Sequence, residues 1–221
     1  MSSVFKYLPE QFVSALLAGE ILFRNLVYFK RLETDPRWDV FEGAHVDAPD
    51  HDVQMHNLTT GVRTRGRYSF HNTLEQPHRV FCFCTSLAFD PAWTKYGSAC
   101  VEILDVGEFA RRLLHQLIRR DRIVALERPL LQSKAVIYFD QAKTAPPSVD
   151  VLNPRQLPFL KRLRYGSDQE FRFVFARRGG YRLQRVVHLD RQERDNSIAC
   201  KPNASITIRI GNLDKIARRV A

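Results

Sequence analysis

Apolar residues recur along this chain at two spacings, one in two and one in three or four, and their succession predicts strands interleaved with short helices. Val4–Leu8 alternates as a strand. Pro9 suits a first helical position, and Phe12, Val13, Leu16 and Leu17 keep helical spacing until Gly19 offers a stop. Residues 21–26 resume the alternation, so the opening reads strand, helix, strand. Residues 30–60 lose both periodicities and carry Pro and His instead, which predicts a long loop with at most short helices, a length that usually signals function or mobility.

Residues 62–70 and 80–86 predict two strands across a turn-forming segment, and residues 99–104 another after Asp90-Pro91. Asp105-Val-Gly-Glu108 has the spacing of a capping box, and Phe109, Leu113 and Leu117 form one stripe of the helix it opens. Arg111, Arg112, Arg119 and Arg120 then fall on the solvated side of that helix. Residues 123–126 and 135–139 predict strands, residues 142–154 a Pro-marked connection and residues 155–163 a short helix. Residues 170–175 alternate strongly, Arg177-Arg-Gly-Gly180 makes a turn, residues 181–189 return, and residues 205–210 form a last strand before a terminal helix. No internal repeat interrupts this order. The expected fold is α+β: a mixed, mainly antiparallel sheet with a few flanking helices, in a single domain over residues 1–221 whose last segment, residues 155–221, completes the sheet.

Composition narrows the class. With 221 residues and 44% hydrophobic content the chain can bury a core and is too apolar for intrinsic disorder. No apolar run approaches the roughly 20 residues of a membrane span, and the first residues lack a signal peptide's apolar stretch, so a cytoplasmic location without membrane partners is expected. Four cysteines, two of them in Cys82-Phe-Cys84, make neither a disulfide framework nor a CxxC metal site. The formal charge is +10, and residues 1–154 hold 18 basic against 18 acidic residues. Residues 155–221 therefore hold 34 − 18 = 16 basic against 24 − 18 = 6 acidic, the whole excess. Arg outnumbers Lys there by 13 to 3, which favours phosphate contacts and makes Arg177, Arg178, Arg182 and Arg185 candidates for a nucleic-acid or other anionic partner.

The motifs of P-loop NTPases, dinucleotide-binding Rossmann domains, zincins and serine hydrolases are absent. Four segments remain. His45-Val-Asp47-Ala-Pro-Asp50-His51-Asp52, with His56, has ligand chemistry but matches no metal-site spacing, so no metal is assigned. In residues 80–86, Cys82 and Cys84 share a face opposite Phe81, Phe83 and Thr85, while Thr85 and Ser86 emerge at the strand end; Trp93 and Tyr96 follow as flat aromatic walls. Asp168, Glu170 and Arg172 face one way and Phe171, Phe173 and Phe175 the other, either as an exposed ion-pair row, the reading composition favours, or as an active-site wall. A carboxylate beside Arg stays ionised. The fourth segment is the Arg-rich last third itself.

Lys6-Tyr7, Asp39-Val-Phe41-Glu42-Gly43, Cys82-Phe-Cys-Thr-Ser86, Trp93-Thr-Lys-Tyr96-Gly97 and Asp168-Gln-Glu170-Phe-Arg172 occur in an order that resembles a large uncharacterised bacterial and phage family. The resemblance covers about residues 4–175. The chain departs from the family pattern with Val after Asp39 and with Asp168 for the first Glu of the late motif. More distantly, the layout is similar to ADP-ribosyltransferases, although no residue separates Gln169 from Glu170. That resemblance implies NAD as co-substrate and an effector or toxin of bacterial or phage conflict. Tyr7 or Arg24 would orient the dinucleotide, Thr85 or Ser86 would hold the nicotinamide ribose, Trp93 and Tyr96 would stack, and Arg172 would assist binding. Glu170 would bond the ribose hydroxyl and favour an oxocarbenium-like transition state, with Tyr96 and Ser86 completing the catalytic set. A non-catalytic nucleic-acid-binding protein and a metal-dependent nuclease or phosphoesterase using the His45 to His56 segment are the alternatives.

Overall fold

In the computed structural model, which describes residues 3–30, 41–92, 97–140, 142–143, 149–189 and 203–220, the predicted alternation becomes sheet at nearly every strong run. β1 (Val4–Leu8) passes through a 3-10 turn into helix α1 (Val13–Leu17) and returns as β2 (Glu20–Asn25), followed by α2 (Leu26–Lys30). Next come β3 (Ala44–Asp47), β4 (Val53–His56), β5 (Arg63–Gly66), β6 (Tyr68–Leu74), β7 (Val80–Ser86), β8 (Ala99–Ile103) and the long helix α3 (Val106–Asp121). The chain continues through β9 (Gln132–Ala135), β10 (Ile137–Phe139), β11 (Leu160–Arg162), β12 (Glu170–Ala176), β13 (Leu183–Leu189), β14 (Ser205–Arg209) and β15 (Ala217–Arg219). The class is α+β, and among the described residues the strands pair antiparallel except β10 with β11.

β7 organises the eight-stranded main sheet. One edge pairs with β12 along its whole length, from Val80 opposite Ala176 to Ser86 opposite Glu170. The other edge is divided: β2 takes Phe81 and Cys82, whereas β1 takes Ser86. The sheet therefore forks beside Phe83 and Cys84, with β14 beyond β2 and with β8 and β15 beyond β1. Lys6 Nζ donates to the Cys84 carbonyl at 2.8 Å, supplying a partner that no strand provides there.

The period-two pattern gives the sheet two different faces. Phe81, Phe83, Phe171, Phe173 and Phe175 bury themselves against Phe109, Leu113 and Leu117 of α3. On the opposite face Val80, Cys82, Val174 and Ala176 pack with Leu26, Phe139, Leu157, Phe159 and Tyr181. Leu74 of β6 joins this second core, from a separate sheet in the order β13, β6, β3.

Several expected elements differ. Residues 30–60 contain β3 and β4, which pair with β6 and β5. Residues 62–70 divide between β5 and β6, and residues 135–139 between β9 and β10. Residues 123–126 contribute only a bridge from Leu126 to Arg177. Residues 155–163 hold a 3-10 turn at Leu157–Phe159 and then β11. The strand after the Arg177 turn forms, yet it pairs with β6, because both edges of β12 are already occupied by β7 and β9. The terminal helix is replaced by a turn and β15: Leu213, Ile216 and Ala217 have helical spacing, but their burial anchors β15 onto the edge of β8. The basic last third, expected to complete one sheet, instead divides, with β12, β14 and β15 in the main sheet, β13 in the second and β11 beside β10.

Candidate active site

The fork in the sheet and the ends of β7 and β12 define a pocket. Phe5, Lys6 and Tyr7 of β1 and Phe29 of α2 form one side, and Cys84, Thr85 and Ser86 of β7 form the floor. Glu42, Lys161, Asp168, Glu170 and Arg172 form the charged side. Its volume is about 80 Å³. Tyr7, Thr85, Ser86, Glu170 and Arg172, singled out separately in the sequence, are thus brought together.

Local backbone explains how Asp168 and Glu170 reach one cation. Leu163–Asp168 is a 3-10 turn, and Gln169 follows in the left-handed region at φ 42°, ψ 46°. That residue redirects the chain, so the two carboxylates converge across a bend where a straight strand would space them along one face. The Glu170 amide then donates to the Tyr138 hydroxyl at 2.8 Å, fixing the start of β12.

The expectation of an exposed ion-pair row at Asp168, Glu170 and Arg172 is corrected by burial. All three are buried, joined by Glu42, to which the sequence assigned no role, and by Lys161, which it did not flag. Lys161 Nζ donates to Asp168 Oδ2 at 3.0 Å and also to Glu170 Oε1. Arg172 gives Nε to Glu170 Oε2 at 2.8 Å and its two terminal nitrogens to Glu42, with a further bond to the Pro158 carbonyl at 2.6 Å. Three carboxylates oppose two cations in this cluster, and Lys6 on the facing side brings the pocket lining to a formal charge of zero when all are ionised.

Burial works against the Glu170 carboxylate, yet the charges of Arg172 and Lys161 and their hydrogen bonds prevail and hold it at about 2. Glu42 goes the other way: burial raises it, only partly opposed by Arg172. Lys161 is disfavoured by burial but raised overall by Glu170, Glu42 and Asp168. On the floor, a hydrogen bond with Cys82 lowers the Cys84 thiol, whereas burial raises Cys82. Cys82, Cys84 and Cys100 are free thiols.

The hydroxyls are held in place. Thr85 Oγ1 donates to the Phe171 carbonyl at 2.9 Å, and Ser86 Oγ donates to the Asp168 carbonyl at 3.2 Å while accepting from the Ala88 amide. Tyr7 OH accepts from the Asp90 amide at 2.6 Å, and its ring stacks on Phe89 with centroids 6.4 Å apart. Burial raises its pKa. Gly97 lies against the Leu8 backbone, where an added Cβ would come within 2.4 Å, so the segment entering β8 returns close to the end of β1.

Other sequence candidates lie elsewhere. Arg24 is not in the pocket; its guanidinium lies over the Tyr28 ring at 4.7 Å. Trp93 and Tyr96 fall outside the described residues, as do Asp39 and Cys200. Arg177 covers the Phe81 ring, Arg185 sits on β13 opposite Asn72, and Arg178 and Arg182 line a second hollow. His45 is buried against Phe139 with neither ring nitrogen hydrogen-bonded, and among the described residues no group of three His, Cys, Asp or Glu side chains is placed to hold a metal.

Glu42 lay within the Asp39 to Gly43 run of the family resemblance but carried no assigned role there. Lys161 had no signal, because a three-residue Leu-Lys-Arg strand does not show an alternation. The fold and site together define an α+β protein with a buried ionic pocket at a forked antiparallel sheet. Compared against protein families, curated proteins and solved structures, the chain finds no match. Among the described residues no helix is long and apolar enough to cross a membrane.

Proposed function

We propose that this chain is an ADP-ribosyl-transferring enzyme that uses NAD as donor and Glu170 as its central carboxylate. The observation that carries the reading is the convergence of Tyr7, Thr85, Ser86, Glu170 and Arg172 on one pocket at the sheet fork. At about 80 Å³ it is far smaller than the roughly 300–1,000 Å³ of sites that enclose a whole organic ligand, so it receives only an end group, with most of the dinucleotide outside.

In the reaction the bond between ribose C1 and the nicotinamide nitrogen breaks, nicotinamide leaves with the electron pair, and an acceptor nucleophile forms a new bond to C1. Positive charge develops on the ribose as the old bond lengthens. An ionised Glu170 at the pocket wall favours that charge over the neutral sugar. Lys161 and Arg172 keep the carboxylate ionised and fixed, so little reorganisation accompanies the step. The ordered motifs support an effector or toxin role and the positive charge of residues 155–221 an anionic target, whose acceptor group labelling identifies.

The test incubates the protein with labelled NAD and cell extract and compares wild type with Glu170→Gln. Nicotinamide release and label transfer are expected from wild type and a loss of roughly 10²–10³-fold in the variant, the scale of removing one electrostatic stabiliser. Thermal unfolding of both proteins separates lost chemistry from lost fold. No transfer by wild type, or equal transfer by a folded variant, would overturn the reading.

A further inference from the structure

A second hollow lies at the opposite end of the β7–β12 pair. Arg79 immediately precedes β7 and Arg178 closely follows β12, beside the Val80–Ala176 end of the pair, which is six residue steps from Ser86 and Glu170, or about 20 Å at the rise of an antiparallel strand. The hollow has a volume of about 490 Å³ and is lined by Arg79, Arg155, Arg178 and Arg182 together with Glu127 and Tyr181. We propose that it binds a polyphosphate-bearing small molecule, at a site separate from the transferase pocket.

The charge distribution carries the argument. Among the described residues, no carboxylate forms an ion pair with any of these four guanidinium groups. The acidic residue in the lining, Glu127, already accepts the Gly179 amide through Oε1. Four cations against one carboxylate leave a formal +3 around a concave space. Like charges are costly to gather, and a bound polyanion relieves that cost.

The backbone beneath the cations is firmly held. Arg177 donates its amide to the Arg79 carbonyl and Arg178 its amide to the Ala125 carbonyl, both at 2.9 Å. Arg79 Nη1 bonds the Arg178 carbonyl at 2.7 Å, and Arg155 Nε bonds the Arg128 carbonyl at 2.8 Å. Each of these two side chains is oriented through one N–H, and a guanidinium carries five. Arg155 also lies over the Tyr181 ring at 5.7 Å, and the Tyr181 hydroxyl is tied to Gln132. The arrangement is preorganised for bidentate contact with phosphoryl oxygens.

Convergence selects among phosphate ligands. A nucleic-acid strand presents single charges in a line and is followed by a groove or stripe of cations. Here the cations surround one hollow, and Arg185 and Arg177, which would extend a stripe, are on another strand and over Phe81. Two or three adjoining phosphoryl groups place several negative charges in one compact body. The volume also lies in the range that accommodates a small organic ligand such as a nucleotide.

The test is calorimetric titration of the full chain at about physiological salt with tripolyphosphate, ATP, inorganic phosphate and a single-stranded oligonucleotide. Arg178 and Arg182 are exposed, so Arg178→Ala/Arg182→Ala leaves the packed structure intact. One saturable site for tripolyphosphate and ATP is expected, weakened about tenfold or more by the double substitution and unchanged by Arg185→Ala, with inorganic phosphate binding much more weakly. Tighter binding of ATP than tripolyphosphate identifies a nucleotide; equal binding identifies the phosphate chain alone. Absence of saturable binding, indifference to the double substitution, equal loss in Arg185→Ala, or an oligonucleotide that tripolyphosphate does not displace overturns the proposal. Because binding is read without turnover, failure of the transferase reading leaves this result independent.

Discussion

Gln169 occupies backbone space that a side chain enters at a cost of roughly 1 kcal/mol, and it does so at the bend that joins Asp168 to Glu170. Gln169→Gly removes that strain but enlarges the unfolded chain's freedom by a similar amount, so stability should change by less than about 1 kcal/mol. Gln169→Val places a β-branched residue at the same dihedrals and should lose about 1–2 kcal/mol in urea denaturation. Equal stability of the two variants would contradict the role given to the bend. Lys161→Met is the more severe change, since it leaves Asp168 buried without its paired cation and Glu170 with Arg172 alone. A loss of about 3–5 kcal/mol is expected by the same measurement, and a loss below about 1 kcal/mol would show that the network does not need Lys161. Glu170, Arg172 and Ser86 were legible because strand alternation places them on one face of neighbouring strands, and Thr85 because it lies at the end of β7. Glu42 was not, for it meets Arg172 from 130 positions away, and only folding makes them partners.

Among elements, α3 shows how far a local signal reaches. Asp105 Oδ1 accepts the Glu108 amide at 2.8 Å, as its position before an apolar stripe predicted. Glu108, expected to reach back, instead binds Arg111 and Arg112. Asp105→Ala should therefore lower stability by about 1 kcal/mol through the lost cap, read as a shift in the urea midpoint at unchanged slope. No shift would mean that α3 is held by its buried stripe alone. β13 marks the other limit: its residues announce a strand but not a partner. β9 saturates the second edge of β12, and this contact, distant in sequence, sends β13 to β6. Likewise Leu213, Ile216 and Ala217 have helical spacing, while the open edge of β8 decides for a strand.

At the scale of the whole molecule, the charge excess of residues 155–221 is put to several uses. Lys161 and Arg172 are buried as counterions, Arg178 and Arg182 surround the second hollow, and Arg185 belongs to the other sheet. The sequence count located the excess, but one-dimensional order does not separate internal from external charge. Buried titratable groups then set how the fold responds to acid. His45, 2% exposed beside Phe139, is lowered by burial from 6.5 to about 4. Between those values the unfolded chain binds the proton more readily than the folded one, so His45 makes stability fall as pH decreases through this window. Glu170, lowered to about 2, contributes stability that is present above its unfolded pKa near 4.3 and lost toward 2, mostly below the His45 window. At about pH 4.5 the His45 contribution amounts to about 2 kcal/mol relative to neutral pH. His45→Leu keeps an apolar contact for Phe139 and removes the proton site, so its stability should decline less on acidification by about that amount. Chemical denaturation of both proteins at about pH 7 and pH 4.5 decides the matter: parallel losses would place the acid sensitivity in groups other than His45.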